Sequence, residues 1–178
     1  MAAHPFVVRT SALKATPGSV LREHREGSLP GLVVGDSRID VLEPIVVDAA
    51  LAWASDTIVV TADVATRWVG TCRRCLADAS GSLVAEHVRE VYEAGSDGEE
   101  TYDMRGDEVD LSPLVRDAVL LGLPPAPLCS EGCKGLCPAC GANRNADDCS
   151  CDTEPIDPRW AALDALRVDA AVDQPSST

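Results

Sequence analysis

Aromatic side chains are scarce: one Phe, two Tyr and three Trp make up 3% of the 178 residues. A core without large rings must be filled by Ala, Val, Leu and Ile, and an additional staple such as a bound metal would help to stabilise it. No apolar run approaches the roughly 20 residues of a membrane-spanning helix, so a soluble chain is expected. Lysine is nearly missing as well; only Lys14 and Lys134 occur, and arginine supplies the rest of the fifteen basic residues. Against 29 acids this leaves a net charge of −14. Such a surface repels phosphate backbones on average and favours basic partners, so contact with RNA would have to be local. The stretch MAAHPFVVRTSALK lacks the apolar core of a signal peptide, which predicts a cytoplasmic protein with reduced thiols.

What the chain has in quantity is cysteine. Six of the eight cysteines fall in LCSEGCKGLCPACGANRNADDCSCD, Leu128 to Asp152. At its centre, Cys137-Pro138-Ala139-Cys140-Gly141 reads as a zinc knuckle. The two-residue gap points both thiolates at one ion, and Pro and Gly set a tight turn whose backbone N–H groups can reach the sulfurs. Cys149-Ser150-Cys151 lies downstream, Cys129-x3-Cys133 upstream, and Cys72-Arg73-Arg74-Cys75 more than fifty residues earlier. Four close pairs fill two four-coordinate zinc sites with nothing left over. The expected grouping is Cys137, Cys140, Cys149 and Cys151 on one ion, with Cys72, Cys75, Cys129 and Cys133 on the other. The second set would clip the middle of the chain to its later part and close a long loop.

Other readings of the same cysteines stand beside this one. Cys129, Cys133 and Cys137 share a helical spacing, which Gly132, Gly135 and Pro138 oppose. Disulfides would need an oxidising compartment. Cys72 and Cys75 resemble a thiol redox pair, although no βαβ unit surrounds them. Iron–sulfur clusters use four thiolates too.

The remaining pattern predicts an α+β fold: a long-stranded antiparallel β-meander with a few packed helices. The expected division is an α+β domain over 1–128, a cysteine-rich metal-binding module with a terminal helix over 129–168, and a disordered tail over 169–178. Phe6, Val7 and Val8 read as strand. Ser19 is placed to cap a short polar helix, Val20 to Glu26, ending at Gly27. Pro44 to Trp53 and Thr57 to Gly70 read as strands around a Ser55-Asp56 turn, with a bulge near Ala65. Leu83 to Tyr92 reads as a third strand with Val84, Glu86, Val88, Glu90 and Tyr92 on one face, a helix being the alternative. Ala94 to Glu100 reads as a flexible acidic linker. Ser112 as N-cap and Pro113 open a helix with the stripe Leu111, Leu114, Val115, Ala118 and Val119, ended by Gly122 and the PPAP segment. A last helix, capped by Asp157, would run from Arg159 to about Val168 and present Trp160, Leu163 and Leu166. His24 and His87 read as solvated surface residues rather than ligands.

Residues 108 to 168 resemble the C-terminal half of the YceD family, the bacterial large-subunit ribosomal RNA accumulation proteins. The resemblance is carried by Asp110-Leu111, Pro113 to Leu121, Leu123-Pro124 and Pro127-Leu128-Cys129. It continues through Cys133-Lys134-Gly135-Leu136-Cys137-Pro138, Cys140-Gly141, Asn143, Asn145, Cys149, Cys151, Asp157-Pro158-Arg159-Trp160 and Leu163. Cys72-Arg73-Arg74-Cys75-Leu76 is similar to the family's mid-chain CxRCL element. The resemblance implies a cytoplasmic ribosome biogenesis factor that promotes accumulation of large-subunit rRNA, with a pre-ribosomal particle or a basic ribosomal protein as partner. The cysteines would then hold zinc as structure, not for catalysis. Candidate RNA or protein contacts are Arg73, Arg74, Lys134, Asn143, Arg144 and Asn145, although asparagines also serve turns by local hydrogen bonding. A thiol redox enzyme and a zinc-ribbon transcription partner are the competing classes, and no nucleophile, base and acid constellation supports catalysis.

Overall fold

The computed structural model describes residues 4–16, 18–98, 100–151 and 159. All but Arg159 of the expected last helix, and the tail, lie outside the described residues. The chain divides into two compact units, Met1–Cys133 and Lys134–Thr178.

The first unit is mostly strand. In chain order it contains β1 (Val7–Arg9), α1 (Ser11–Ala15), β2 (Val20–Gly27), β3 (Val33–Val34), β4 (Ser37–Ile39), β5 (Ile45–Ala54) and β6 (Thr57–Thr71). These are followed by β7 (Asp78–Glu93), β8 (Tyr102–Arg105), β9 (Glu108–Asp110) and α2 (Ser112–Gly122). Period-two alternation builds the long strands: Ile45, Val47, Ala49 and Leu51 on β5, and Ile58, Val60, Ala62 and Val64 on β6, all point into the core. Fully burying each Val, Leu or Ile stabilises by about 1.5–3 kcal/mol, so a core without many rings is still substantial. β5, β6 and β7 pair antiparallel, and β2 adds to the other edge of β5. The edge of β6 that carries β5 carries β4 further on, at Trp68 and Val69.

Val20 to Gly27 is a strand, not the polar helix its composition suggests. Eight residues pair with β5 from Val20↔Ala52 to Gly27↔Ile45. Half-buried Leu21, Glu23 and Arg25 alternate with exposed Arg22, His24 and Glu26. An edge strand can be this polar because one face meets water, and sheet pairing overrides local helix propensity.

His24 sits across from Asp48 on this sheet. Its Nδ1 lies 2.7 Å from Asp48 Oδ1 and its Nε2 3.3 Å from Glu26 Oε1. The hydrogen bond to Asp48, then that to Glu26, holds the imidazole above its ordinary 6.5. A raised folded value means that the stabilisation is fully present below about pH 6.5 and is lost as pH rises through the folded value. Proton NMR titration of the His24 ring is expected to give a midpoint above 6.5, and Asp48→Asn to return it toward 6.5. An unchanged midpoint would remove Asp48 as the cause.

The sheet irregularity lies on the neighbouring strand, a short way from Ala65. Ala62 pairs with Val88 and Val64 with Ala85, so Asp63 faces two residues, Glu86 and His87. His87 takes φ 56° and its N–H donates to Asp63 Oδ1 at 2.7 Å. The extra residue switches faces: Leu83 and Ala85 point inward before it, Val88 and Tyr92 after it. Val84, expected beside Val88 and Tyr92, is therefore 61% exposed.

The start of the acidic segment is tied to the strand that follows it. The Gly95 N–H donates to Asp103 Oδ1 at 3.2 Å, and Thr101 Oγ1 donates to Ser96 Oγ at 2.8 Å. The loop returns the chain so that β8 lies parallel to β7, with Tyr92 opposite Tyr102; β9 and β1 then add antiparallel. α2 buries Leu114, Val115, Ala118 and Val119 as its stripe requires. Ser112 is its first helical residue rather than its cap, and the Ser112 N–H donates to Asp110 Oδ1 at 2.9 Å. Among the described residues no helix is long and apolar enough to cross a membrane.

Candidate metal centres

The long β6–β7 hairpin ends in Cys72-Arg73-Arg74-Cys75-Leu76-Ala77. The Cys72 N–H donates to the Ala77 carbonyl at 2.8 Å and the Leu76 N–H to the Cys72 carbonyl at 2.9 Å. In the second unit, Cys137-Pro138-Ala139-Cys140-Gly141-Ala142 closes the same way, Cys137 N–H to Ala142 O and Gly141 N–H to Cys137 O, both at 2.8 Å. The fifth residue of each turn is left-handed: φ is 61° at Leu76 and 76° at Gly141. The two turns are thus the same knuckle, one with the glycine that the conformation favours and one with a leucine that tolerates it.

The partner cysteines of the first knuckle arrive through the proline segment. Buried Ser37 donates from Oγ to the Pro124 carbonyl at 2.6 Å, and the Arg73 N–H donates to the Pro127 carbonyl at 3.0 Å. The segment is therefore fastened to β4 and to the hairpin tip just before Cys129. Arg74 completes the arrangement: Nη1 donates to the Cys133 carbonyl at 3.0 Å and to that of Glu131 at 3.5 Å. None of these partners has a local signal in the sequence, because each joins residues far apart along it.

The result is two sets of four sulfurs, Cys72, Cys75, Cys129 and Cys133, and Cys137, Cys140, Cys149 and Cys151. In each set all sulfurs lie within 4.8 Å of one another. Cys72 and Cys133 are 3.8 Å apart, Cys75 and Cys129 3.5 Å. These separations are far beyond a disulfide bond of about 2.05 Å, and all eight cysteines are free. They match a tetrahedron with metal–sulfur bonds of about 2.3 Å, whose edges are about 3.8 Å. Each set can therefore hold a metal ion.

The protonation pattern fits that chemistry. Burial disfavours the Cys72 thiolate, but the N–H groups of Cys129, Cys75 and Arg74 outweigh it and bring the thiol down to about 6. At Cys137 the N–H groups of Cys140 and Ala139 do the same, again to about 6. The Ala77 N–H favours the Cys75 thiolate, yet burial and the crowding of Cys129, Cys133 and Cys72 push that thiol up to about 12. Cys140 and Cys137 push Cys151 up to about 12 as well. Each set thus contains one thiol whose ionised form is favoured, Cys72 or Cys137, beside one that its neighbours hold protonated, Cys75 or Cys151, until a cation joins them.

Of the remaining predicted site residues, Arg73, Lys134 and Arg144 are exposed. Arg74 is spent on the chain's own carbonyls. Asn145 Oδ1 accepts the Lys134 N–H at 2.8 Å, and Asn143 Oδ1 accepts the Asn145 N–H at 3.0 Å. Both asparagines therefore brace the second knuckle. Ser37 is a positioning residue that sequence reasoning missed; Leu76 and Pro127 enter the sequence reading only as part of the family resemblance and the proline segment.

Fold and site together define a strand-rich protein whose eight cysteines gather into two closed tetrads. The chain belongs to the YceD family, described as large ribosomal RNA subunit accumulation protein, which matches residues 60–167. An uncharacterized protein of Mycobacterium tuberculosis is 32% identical over 168 residues, covering 90% of this chain and 81% of that protein. An uncharacterized protein of Mycobacterium leprae is 27% identical over 184 residues, 98% of this chain and 82% of that one. The chloroplastic large ribosomal RNA subunit accumulation protein YCED homolog 1 of Arabidopsis thaliana is 40% identical over 60 residues, 34% of this chain and 19% of that protein. No solved structure matches the chain.

Proposed function

We propose that the protein is a noncatalytic, cytoplasmic assembly factor that promotes accumulation of large-subunit ribosomal RNA, with zinc held as structure by both cysteine tetrads. The observation that carries the noncatalytic part is the closure of both sets. A catalytic zinc keeps a coordination position open for water or substrate, whereas four thiols per set leave none. Family membership supports the ribosomal part. The charge of −14 suits a basic ribosomal protein or a particle displaying one. Exposed Arg73, Lys134 and Arg144 are the proposed points of local RNA or protein contact.

Cells lacking the protein are expected to show a reduced ratio of large- to small-subunit rRNA, and the tagged protein to co-sediment with large-subunit precursors rather than with mature ribosomes. A normal rRNA ratio together with no particle association would sink the proposal.

A further inference from the structure

We infer that the groove between β7 and α2 seats a short basic protein segment that places an apolar side chain on its floor. The groove has a volume of about 290 Å³, near the lower end of small-ligand pockets, which suits a few side chains rather than a folded domain. Its floor is apolar: Ala85 and Val88 from β7, Ala118 from α2. The bulge at Glu86 and His87 turns both Ala85 and Val88 toward the helix, and they stay only half-buried. Leu121, on the last turn of the helix, forms the rim and is 88% exposed. An uncovered leucine beside a partly exposed apolar floor makes a small patch that one apolar side chain can cover.

Charge selects the occupant. The two charged residues that line the groove, Glu90 and Asp117, are both acids. Asp117 is held in place, its Oδ2 accepting the Tyr102 hydroxyl at 2.6 Å. Lysine or arginine flanking an apolar residue would meet these carboxylates while the apolar side chain covers Val88 and Leu121. RNA would meet two anions at the mouth. A second copy would set Glu90 and Asp117 of one chain against an acidic body of net charge −14.

This inference rests on the protein-partner side of the functional reading, and the two fail separately. The probe is a set of fluorescein-labelled 15-residue peptides tiling the basic large-subunit ribosomal proteins, titrated with the full-length chain by fluorescence anisotropy. At least one peptide is expected to bind. Leu121→Asp should weaken it tenfold or more, and the pair Glu90→Gln with Asp117→Asn about tenfold with a flatter salt dependence. Leu42→Asp, at a leucine equally exposed elsewhere on the unit, should bind as the parent does. Binding unchanged by Leu121→Asp, in a variant melting like the parent, overturns the inference. So does binding of an rRNA fragment that Leu121→Asp abolishes while no basic peptide binds, or self-association that the same substitution removes. Co-sedimentation of Leu121→Asp with precursors as well as the parent removes the groove and leaves the assembly role standing. Absence of the parent from precursors removes the assembly role, and the peptide titration still decides the groove.

Discussion

Cys72→Ser with Cys75→Ser is expected to lower the metal content of the purified chain from two zinc ions to one, and its melting temperature by about 10 °C. The first set joins cysteines 54 and 61 residues apart, so a metal there closes a long loop that contains β7, β8, β9 and α2. A cross-link closing 54 residues removes about 4 kcal/mol of unfolded-chain entropy in the loop-closure picture. Each kcal/mol moves the melting point of a chain this size by about 2–4 °C. Two remaining thiols cannot complete the coordination, so the ion is lost rather than loosened. Cys137→Ser with Cys140→Ser is the companion experiment. It should also cost one ion, but that set closes a short loop in the second unit and the melting of the sheet should stay where it was. Elemental analysis with native mass spectrometry gives the counts. A parent with one ion, unchanged by Cys72→Ser and Cys75→Ser, would show that the first set holds no metal and would leave that pair as free thiols.

Gly70→Val is expected to destabilise the chain by about 2–3 kcal/mol and to make the first set release its metal more readily to a competing chelator, although no cysteine is altered. A Cβ at Gly70 would stand 2.6 Å from the Asp36 carbonyl oxygen and 3.3 Å from Cγ of Pro127. A backbone carbonyl between β3 and β4 cannot swing aside as a long side chain could. A strand that backs away from Asp36 disturbs Pro127 as well, whose carbonyl holds the Arg73 N–H and whose chain reaches Cys129 two residues later. Gly132→Ala is the control, because a Cβ there meets nothing within 4 Å. Thermal melting and a chromogenic chelator titration read the two effects. Equal metal retention in Gly70→Val and parent would show that Pro127 does not position Cys129.

The long strands were legible because each buries one face, so Ile45 to Leu51 and Ile58 to Val64 display their period directly. β2 was not, since Leu21-Arg22-Glu23-His24-Arg25-Glu26 is largely polar on both faces and its strand character comes from pairing with Val46 to Leu51 of β5, far along the chain. The bulge was sensed from slipped alternation on β6, while the inserted residue belongs to β7, a distinction that only pairing reveals. Counting close cysteine pairs was enough to form two groups of four. It could not say that Arg74, Asn143 and Asn145 turn back onto their own chain, because the same residue types serve a partner or a turn equally well. Nor could it mark Leu76 as left-handed, a position where a glycine would have been the signal.

The separation within the first set also fixes a sequence of events in time. At about 5–20 residues per second, the 54 residues from Cys75 to Cys129 take roughly 3–10 s to synthesise. Throughout that interval the hairpin tip displays a bare pair of thiols. β7, β8, β9 and α2 are made while the first two thiols wait for their partners. The second set spans only Cys137 to Cys151 and is complete soon after its first member is made. A ribosome that stops between Glu93 and Cys129 therefore leaves behind a chain with its hairpin spelled out and no means of locking it.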